Sequence, residues 1–132
     1  MSFPSTVLLA DDEIHIRKFV GVILKQLGAT RLLEASNGAE AVALYERERP
    51  ELVLLDVNMP VMDGLETLRE LKRIDPTSVV VMLTSLANRK TVENSVELGA
   101  AGYIRKDTPK EEIARALMEI VQTSLGLEEP IS

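Results

Sequence analysis

The sequence contains no cysteine and no tryptophan, and its 132 residues include only two phenylalanines and two tyrosines. The absence of cysteine excludes disulfides, zinc–thiolate sites and cysteine nucleophiles, and it is typical of proteins in a reducing compartment. Because aromatic side chains are scarce and 45% of the residues are hydrophobic, the core must be built mainly from aliphatic side chains. We therefore expect a cytoplasmic protein with an aliphatic core.

Long apolar runs and an excess of positive charge are also missing. No uninterrupted apolar run reaches the roughly 18 residues of a membrane span, and residues 1–6 do not resemble a signal peptide. The 15 Lys and Arg residues are outnumbered by 21 Asp and Glu, and the net charge of −6 disfavours nucleic acid and acidic membranes. Arg69, Lys72 and Arg73 share a predicted helix face, but such a group is usually a solvated surface. We expect no direct nucleic-acid partner and no membrane partner.

The length and composition are those of one globular domain with a substantial core. We expect this domain to span residues 1–126. Residues 127–132, which are acidic and follow a glycine, are expected to form a loose C-terminal tail.

Strand-like and helix-like segments alternate five times, a pattern typical of βαβ units and a parallel sheet. Short apolar runs predict strands over residues 6–10, 31–35, 52–55, 79–84 and 102–105. The run that begins at residue 79 is apolar until it reaches Thr84, which favours a central strand buried on both faces.

Apolar stripes at helical spacing predict that the first and fifth helices pack against the sheet. The first should begin after Asp12 and end at Gly28. The fifth is predicted to have Thr108 as its N-cap, Pro109 at the first helical position and Glu111 three residues after the cap. The predicted stripes are Ile16, Phe19, Val20, Ile23, Leu24 and Leu27 in the first helix, and Ile113, Leu117, Ile120, Val121 and Leu125 in the fifth.

The three middle helices are predicted from caps and breakers. Asn37 and Glu40 have capping-box spacing, so the second helix should start there and end before Pro50. The third should end before Pro76. The fourth, over residues 88–98, has few apolar residues and is expected to have low local stability, either as a moving part or as a frayed surface helix. Its predicted anchors are Val92, Val96 and Leu98.

Acidic residues follow two of the apolar strands, Asp11 and Asp12 after the first and Asp56 after the third. Ligands of an open parallel sheet bind outside the carboxyl ends of its strands, so the three carboxylates should meet in one site. Thr84 and Lys106 come at the ends of the fourth and fifth strands and should reach the same edge. Three carboxylates and one lysine leave an excess negative charge, and hard oxygen ligands favour Mg²⁺ or Ca²⁺.

Phosphoryl transfer would use every member of this set. A carboxylate can be the nucleophile and form an aspartyl phosphate, while a cation and a lysine neutralise the phosphoryl oxygens. Taken alone, Asp11 and Asp12 could merely cap the first helix, but Asp56 and Lys106 make a functional site the favoured interpretation. His15, the single histidine, has no partner at metal-ligand spacing and is expected to be solvated.

The ordered set of motifs resembles the receiver domain of bacterial response regulators, the CheY-like superfamily, over nearly the whole chain. The resemblance implies a single-domain α/β protein of the flavodoxin-like (βα)5 class, with a doubly wound, parallel, five-stranded sheet in the order 2-1-3-4-5. The motifs that carry it are the acidic pair, Asp56-Val57-Asn58-Met59-Pro60, Asp63-Gly64, Thr84-Ser85 and Lys106.

The resemblance also implies a role for each acidic residue. Asp56 corresponds to the phosphoacceptor and is itself a metal ligand. Asp12 corresponds to a direct Mg²⁺ ligand, Asp11 to a ligand that acts through water, and Asn58 to a ligand that uses its backbone carbonyl. Asp63 and Gly64 are interpreted as a turn before the third helix.

Thr84 and Lys106 correspond to the pair that senses the phosphoryl group, and Tyr103 to an aromatic switch residue. In the family, the threonine moves toward the phosphoryl group and leaves space for the aromatic ring to turn inward. This couples the chemistry to the surface formed by helix 4, strand 5 and helix 5. Tyr103 could instead be an ordinary half-buried strand residue.

The sequence departs from the family pattern after the lysine, where proline with a cis peptide bond is common. Asp107 follows Lys106 here, so we expect a trans bond, with Asp107 serving the turn before the fifth helix. Leu86, two residues after Thr84, and Asn58, two after Asp56, occupy positions that influence the dephosphorylation rate in this family, and an apolar Leu86 cannot orient an attacking water. We therefore expect no unusually fast self-dephosphorylation.

The favoured function is a two-component signalling switch that receives its phosphoryl group from a sensor histidine kinase or a histidine phosphotransfer protein. It would then bind a downstream protein target, as a monomer or a phosphorylation-dependent dimer. A phosphorelay intermediate and a receiver fragment of a longer regulator remain open. A phosphorylation-independent pseudo-receiver is less favoured because no member of the set is missing. A Mg²⁺-dependent phosphohydrolase is also less favoured, because Asn58 cannot protonate a leaving group. No enzymatic activity is expected beyond self-phosphorylation and slow self-dephosphorylation.

Overall fold

A computed structural model describes residues 3–85 and 88–126. Within these ranges five strands alternate with five helices, as the sequence predicts. Leu86 and the expected tail over residues 127–132 lie outside the described residues. The strands are β1 (Thr6–Ala10), β2 (Arg31–Ala35), β3 (Leu52–Asp56), β4 (Val80–Thr84) and β5 (Gly102–Arg105). The helices are α1 (Ile14–Leu27), α2 (Gly38–Glu48), α3 (Gly64–Ile74), α4 (Arg89–Glu97) and α5 (Lys110–Ser124).

The five strands form one parallel sheet in the order β2-β1-β3-β4-β5, which confirms the flavodoxin-like topology. β3 is at the centre, and β4 is also an interior strand, paired with β3 and β5. The chain reverses direction across the sheet between β1 and β3, and such a switch point opens a crevice at the carboxyl ends of these strands.

The core is a layer of apolar side chains on each face of the sheet. β3 and β4 are buried along their whole length, because helices cover both faces. Alternate strand residues enter opposite layers: Leu54 packs with α1 and α5, and Leu55 packs with α2 and α3. Each fully buried leucine contributes roughly 1.5–3 kcal/mol to folding. None of the helices within the described residues has the length and apolarity of a membrane-spanning segment.

Two residues predicted to anchor helices are exposed. Phe19 is 40% exposed because the face of α1 that is fully buried against the core runs through Val20, Ile23 and Leu24. Val96 is 65% exposed, since α4 is oriented so that Ser95 is its buried residue. The Ser95 hydroxyl donates to the Thr91 carbonyl at 2.8 Å, which satisfies this buried polar group within the helix. α4 is therefore anchored by less apolar surface than the sequence predicts.

Of the two predicted N-caps, Asn37 is confirmed and Thr108 is not. Asn37 caps α2, because its Oδ1 accepts from the N–H of Glu40 at 2.9 Å. The prediction for α5 is wrong: Pro109, with ψ 146°, is the N-cap, and the helix begins at Lys110. Thr108 belongs to the turn after β5, where its N–H donates to the Arg105 carbonyl at 3.1 Å. Because the backbone of Pro109 is extended, Thr108 does not directly precede the first helical residue.

The difference between these caps predicts unequal effects of alanine. Asn37→Ala removes a cap hydrogen bond and is expected to lower the free energy of unfolding by about 1 kcal/mol. Thr108→Ala removes no helix cap and should change it by less than about 0.5 kcal/mol. Urea unfolding followed by circular dichroism measures both values. Equal losses in the two variants would contradict the assigned start of α5.

Candidate functional site

The register of β1 and β3 brings the predicted acidic residues together. Ala10 pairs with Leu55, so the next residues, Asp11 and Asp56, lie side by side at the carboxyl edge of the sheet. Both are buried, with 0% and 3% exposure, whereas Asp12 faces solvent. Each of the three offers one carboxylate oxygen, and these atoms lie within 4.8 Å of one another. The structure thus brings together the three carboxylates that the sequence predicts to converge.

Lys106 reaches the same site from the end of β5. Thr84 pairs with Arg105 in the sheet, and the Lys106 N–H then donates to the Thr84 carbonyl at 2.7 Å. The Lys106 Nζ lies 2.7 Å from Asp11 Oδ2 and 3.2 Å from Asp56 Oδ2. One buried ammonium therefore contacts two buried carboxylates and neutralises the charge of only one, which leaves the site with an excess of negative charge.

Burial and charge shift the pKa values of this group. Burial, together with the negative charge of Asp11, raises the pKa of Asp56 to about 6, although Lys106 partly opposes the shift. Burial lowers the pKa of Lys106, but Asp11 and Asp56 outweigh this effect and raise it overall. At neutral pH the site therefore holds an ionised Asp56 and an ammonium Lys106 in contact.

The donor set fits a hard divalent cation. Carboxylate oxygens are the ligands that Mg²⁺ and Ca²⁺ prefer, and oxygens about 2.1 Å from one ion lie roughly 3–4 Å apart, so a small adjustment suffices. Asp11 Oδ2 is fully buried, and the Lys106 Nζ lies 2.7 Å from it. A divalent cation beside this pair would neutralise the negative charge that Lys106 leaves uncompensated.

Thr84 and Tyr103, the predicted switch pair, are in contact. Thr84 is fully buried at the end of β4. Tyr103 on β5 is half-buried, and its ring packs against the core layer of α2 and α3. Burial raises the pKa of the Tyr103 hydroxyl, and its hydrogen bond with Thr84 partly opposes that rise. This hydrogen bond directly links Thr84, at the carboxyl end of β4, to Tyr103 on β5.

The loop after β3 holds Asn58 beside the site. The Asn58 N–H donates to Asp56 Oδ1 at 3.3 Å. Asp63 caps α3 through the Glu66 N–H at 2.9 Å, in agreement with its predicted turn role. Leu86, from which we expect no unusually fast self-dephosphorylation, lies outside the described residues. The described residues contain no cis peptide bond, in agreement with the trans bond expected after Lys106.

Two residues of the site were missed by sequence reasoning. Glu13 Oε1 lies 3.4 Å from the Lys106 Nζ, and Arg17 donates from its guanidinium to the Asp11 carbonyl at 2.6 Å. Glu13 extends the acidic pair by one residue, so its position was a usable signal. Arg17 lies one helical turn further on and shows no distinguishing pattern. His15 is largely exposed, as predicted, with its Nε2 3.6 Å from Glu13 Oε2.

Comparisons with known proteins agree with the fold. The family described as response regulator receiver domain matches residues 7–118. The chain is 35% identical over 115 residues to the chemotaxis protein CheY of Halobacterium salinarum, a match that covers 87% of this chain and 95% of that protein. A CheY-like receiver domain protein of Methanospirillum hungatei has a similar structure, with a TM-score of 0.85, 25% identity, and coverage of 96% and 100% of the two chains. A structure of a CheX–CheY–BeF3–Mg²⁺ complex from Borrelia burgdorferi matches with a TM-score of 0.84 and 26% identity, over 93% of this chain and 90% of that one.

Proposed function

The chain belongs to the response regulator receiver domain family, and from that premise we propose that it is a two-component signalling switch phosphorylated on Asp56 with the help of Mg²⁺. The observation that carries the proposal is the contact of the buried Asp56 carboxylate with Lys106, beside Asp11 and Asp12. Receiver domains are switches rather than classical enzymes, so the phosphoryl group is a signal and not a product to be released.

Four groups are proposed to hold the metal. Asp12 and Asp56 bind through carboxylate oxygens, Asp11 binds through water, and Asn58 uses its backbone carbonyl. One carboxylate oxygen from each of Asp11, Asp12 and Asp56 lies within 4.8 Å of the other two, which supports this set. Mg²⁺ supplies positive charge to the phosphoryl oxygens while they transfer. The complex from Borrelia burgdorferi contains Mg²⁺ beside a related CheY, which supports the choice of metal.

Asp56 is proposed as the nucleophile. Its pKa of about 6 leaves the carboxylate ionised at neutral pH, yet closer to neutrality than an exposed aspartate. One Asp56 oxygen forms a bond to phosphorus while the bond from phosphorus to the donor's histidine nitrogen breaks, and that imidazole leaves with the bonding electron pair. The Lys106 Nζ, 3.2 Å from Asp56 Oδ2, is in reach of a phosphoryl oxygen and neutralises its charge.

Thr84 and Tyr103 are proposed to transmit the change. The Thr84 hydroxyl donates to a phosphoryl oxygen after transfer, and its hydrogen bond with Tyr103 must then rearrange. This shifts the equilibrium between two forms of the surface made by α4, β5 and α5. The limited apolar anchoring of α4, whose buried residue is Ser95, supports its place in the moving surface.

The proposed phosphoryl donor is a sensor histidine kinase or a histidine phosphotransfer protein, and the recipient of the signal is a downstream protein target. The receiver domain is proposed to span residues 1–126, and to act as a monomer or a phosphorylation-dependent dimer. A phosphohydrolase is disfavoured by the amide of Asn58, which has no acidic proton for a leaving group. Because Leu86, two residues after Thr84 in the sequence, is apolar and cannot orient an attacking water, self-dephosphorylation is expected to be slow.

Intact-mass spectrometry tests this function. The protein is incubated with Mg²⁺ and acetyl phosphate, with a parallel sample in excess chelator. We expect a mass gain of one phosphoryl group that chelator prevents. Borohydride reduction of the acyl phosphate and peptide mapping should place the modification at residue 56. If the folded protein shows no mass gain with Mg²⁺, the proposed phosphoryl chemistry is wrong and a pseudo-receiver is favoured.

A further inference from the structure

Glu13 occupies a helix position for which glutamate is poorly suited. It is the N-cap of α1, where Ser, Thr, Asp and Asn are preferred because their short side chains accept from the helix N–H groups. The Glu13 side chain makes no cap hydrogen bond. Its backbone serves the turn instead, since the Glu13 N–H donates to Asp11 Oδ1 at 2.8 Å. The helix start therefore does not account for a glutamate here.

The Glu13 carboxylate is directed toward the phosphoryl site. Its Oε1 lies 3.4 Å from the Lys106 Nζ, a contact between residues 93 positions apart. Asp11, Asp56 and Glu13 thus surround one ammonium group at 2.7, 3.2 and 3.4 Å. Glu13 differs from the other two because its side chain is 48% exposed. It is the contact on the solvent side, from which a phosphoryl donor must approach.

We propose that Glu13 is a positioning residue that holds Lys106 in the unphosphorylated protein and thereby slows phosphoryl acceptance at Asp56. The inference rests on the function proposed above. A phosphoryl group on Asp56 needs the Lys106 ammonium for its own oxygens, so the contact with Glu13 must weaken as transfer proceeds. Glu13 stabilises the starting arrangement more than the transferring one, which raises the barrier.

Asp107 provides a matched control for charge. It adjoins Lys106 in sequence, but its carboxylate pairs with the Arg105 guanidinium at 2.7 Å and not with Lys106. Asp107→Asn and Glu13→Gln each remove one negative charge near the site, and only the second removes a Lys106 contact. Glu13→Asp adds a further distinction, because it keeps the charge on a side chain one methylene shorter and supplies a better N-cap.

The experiment compares initial rates of phosphorylation by acetyl phosphate at saturating Mg²⁺, read by intact mass. Glu13→Gln is expected to be about twofold to fivefold faster than the unchanged protein, the range for loss of one half-exposed ion pair. Glu13→Asp should also be faster, and Asp107→Asn should be unchanged. In a Lys106→Met background Glu13→Gln should no longer accelerate the reaction, because its effect acts through the lysine. A purely structural role would not depend on Lys106.

Several outcomes would overturn the proposal. Equal or lower rates for Glu13→Gln and Glu13→Asp would exclude a restraining role, provided that circular dichroism shows both variants folded. An equal increase in Asp107→Asn would assign the effect to charge in general. An increase that persists in the Lys106→Met background would exclude action through Lys106. If the unchanged protein takes no phosphoryl group, the function proposed above fails and takes this inference with it, a result distinct from the other three.

Discussion

Asp56→Asn is expected to abolish phosphoryl acceptance and, without metal, to make the fold more stable at neutral pH. Acceptance is lost because an amide cannot act as the carboxylate nucleophile. Stability rises because Asp56 is 3% exposed and lies beside the buried Asp11, with one Lys106 ammonium shared between them. Asparagine keeps the size and shape of the side chain and removes its charge. The residue proposed to carry the function is thus expected to cost stability.

The direction and pH window of this effect follow from the pKa of Asp56. Burial and Asp11 raise that pKa from 3.8 to about 6. The folded state therefore holds a proton more tightly than the unfolded state, and stability falls as pH rises between these values. Above pH 6 the cost is complete and amounts to about 3 kcal/mol. Below pH 3.8 the carboxyl is protonated in both states, and the cost disappears.

Urea unfolding in the presence of chelator measures this prediction at pH 4 and pH 8. The free energy of unfolding of Asp56→Asn should exceed that of the unchanged protein at pH 8, and this excess should be about 2.5 kcal/mol larger than the excess at pH 4, where part of the cost is already present. Asp107→Asn, at an exposed ion pair, is the control and should differ by less than about 0.5 kcal/mol. Mg²⁺ should reduce the advantage of the variant, because the cation neutralises Asp56. A variant less stable than the unchanged protein at pH 8 would contradict the burial of an ionised Asp56.

The convergence of the acidic site could be predicted because it depends on backbone topology. The apolar runs before Asp56 and Thr84 indicate strands buried on both faces, and parallel strands end at one edge of a sheet. No side-chain detail is needed to bring Asp11, Asp56 and Lys106 together. The strand order itself came from the resemblance to the family, since local patterns do not determine which strands are neighbours.

Features that depend on tertiary packing could not be predicted in this way. Periodicity places Phe19 and Val96 on apolar stripes, but the orientation of each helix on the sheet decides which edge of a stripe is buried. Thr108 and Pro109 fit a helix start by residue type, yet the turn after β5 sets a different start. The contact between Glu13 and Lys106 joins the segments that follow β1 and β5, and it depends on the conformation of the Lys106 side chain.

Gly64 shows how a turn motif in the sequence can have a steric cause that only the structure reveals. It is buried at the first position of α3, where its N–H donates to the Val57 carbonyl at 2.7 Å. A Cβ added at Gly64 would collide with the Asp56 carbonyl oxygen and lie 2.6 Å from the Val57 Cα. These are backbone atoms of Asp56, the proposed phosphoacceptor, and of its neighbour, so no side-chain rotation relieves the contact. The glycine is required for space beside Asp56.

Gly64→Ala is therefore expected to damage the fold and the site together. The free energy of unfolding should fall by roughly 3 kcal/mol, the upper part of the usual range for overpacking, because backbone must move. Displacement of Asp56 should slow phosphoryl acceptance on the order of tenfold to a hundredfold.

Gly21→Ala is the matched control, because the added Cβ would contact only the Leu32 Cδ1, at 3.3 Å. Gly21 lies within α1, and alanine is more favourable than glycine inside a helix. It should retain full stability and the unchanged rate. Urea unfolding and the intact-mass assay measure both quantities in the two variants. If Gly64→Ala were as stable and as reactive as Gly21→Ala, the start of α3 could not lie against the Asp56 backbone.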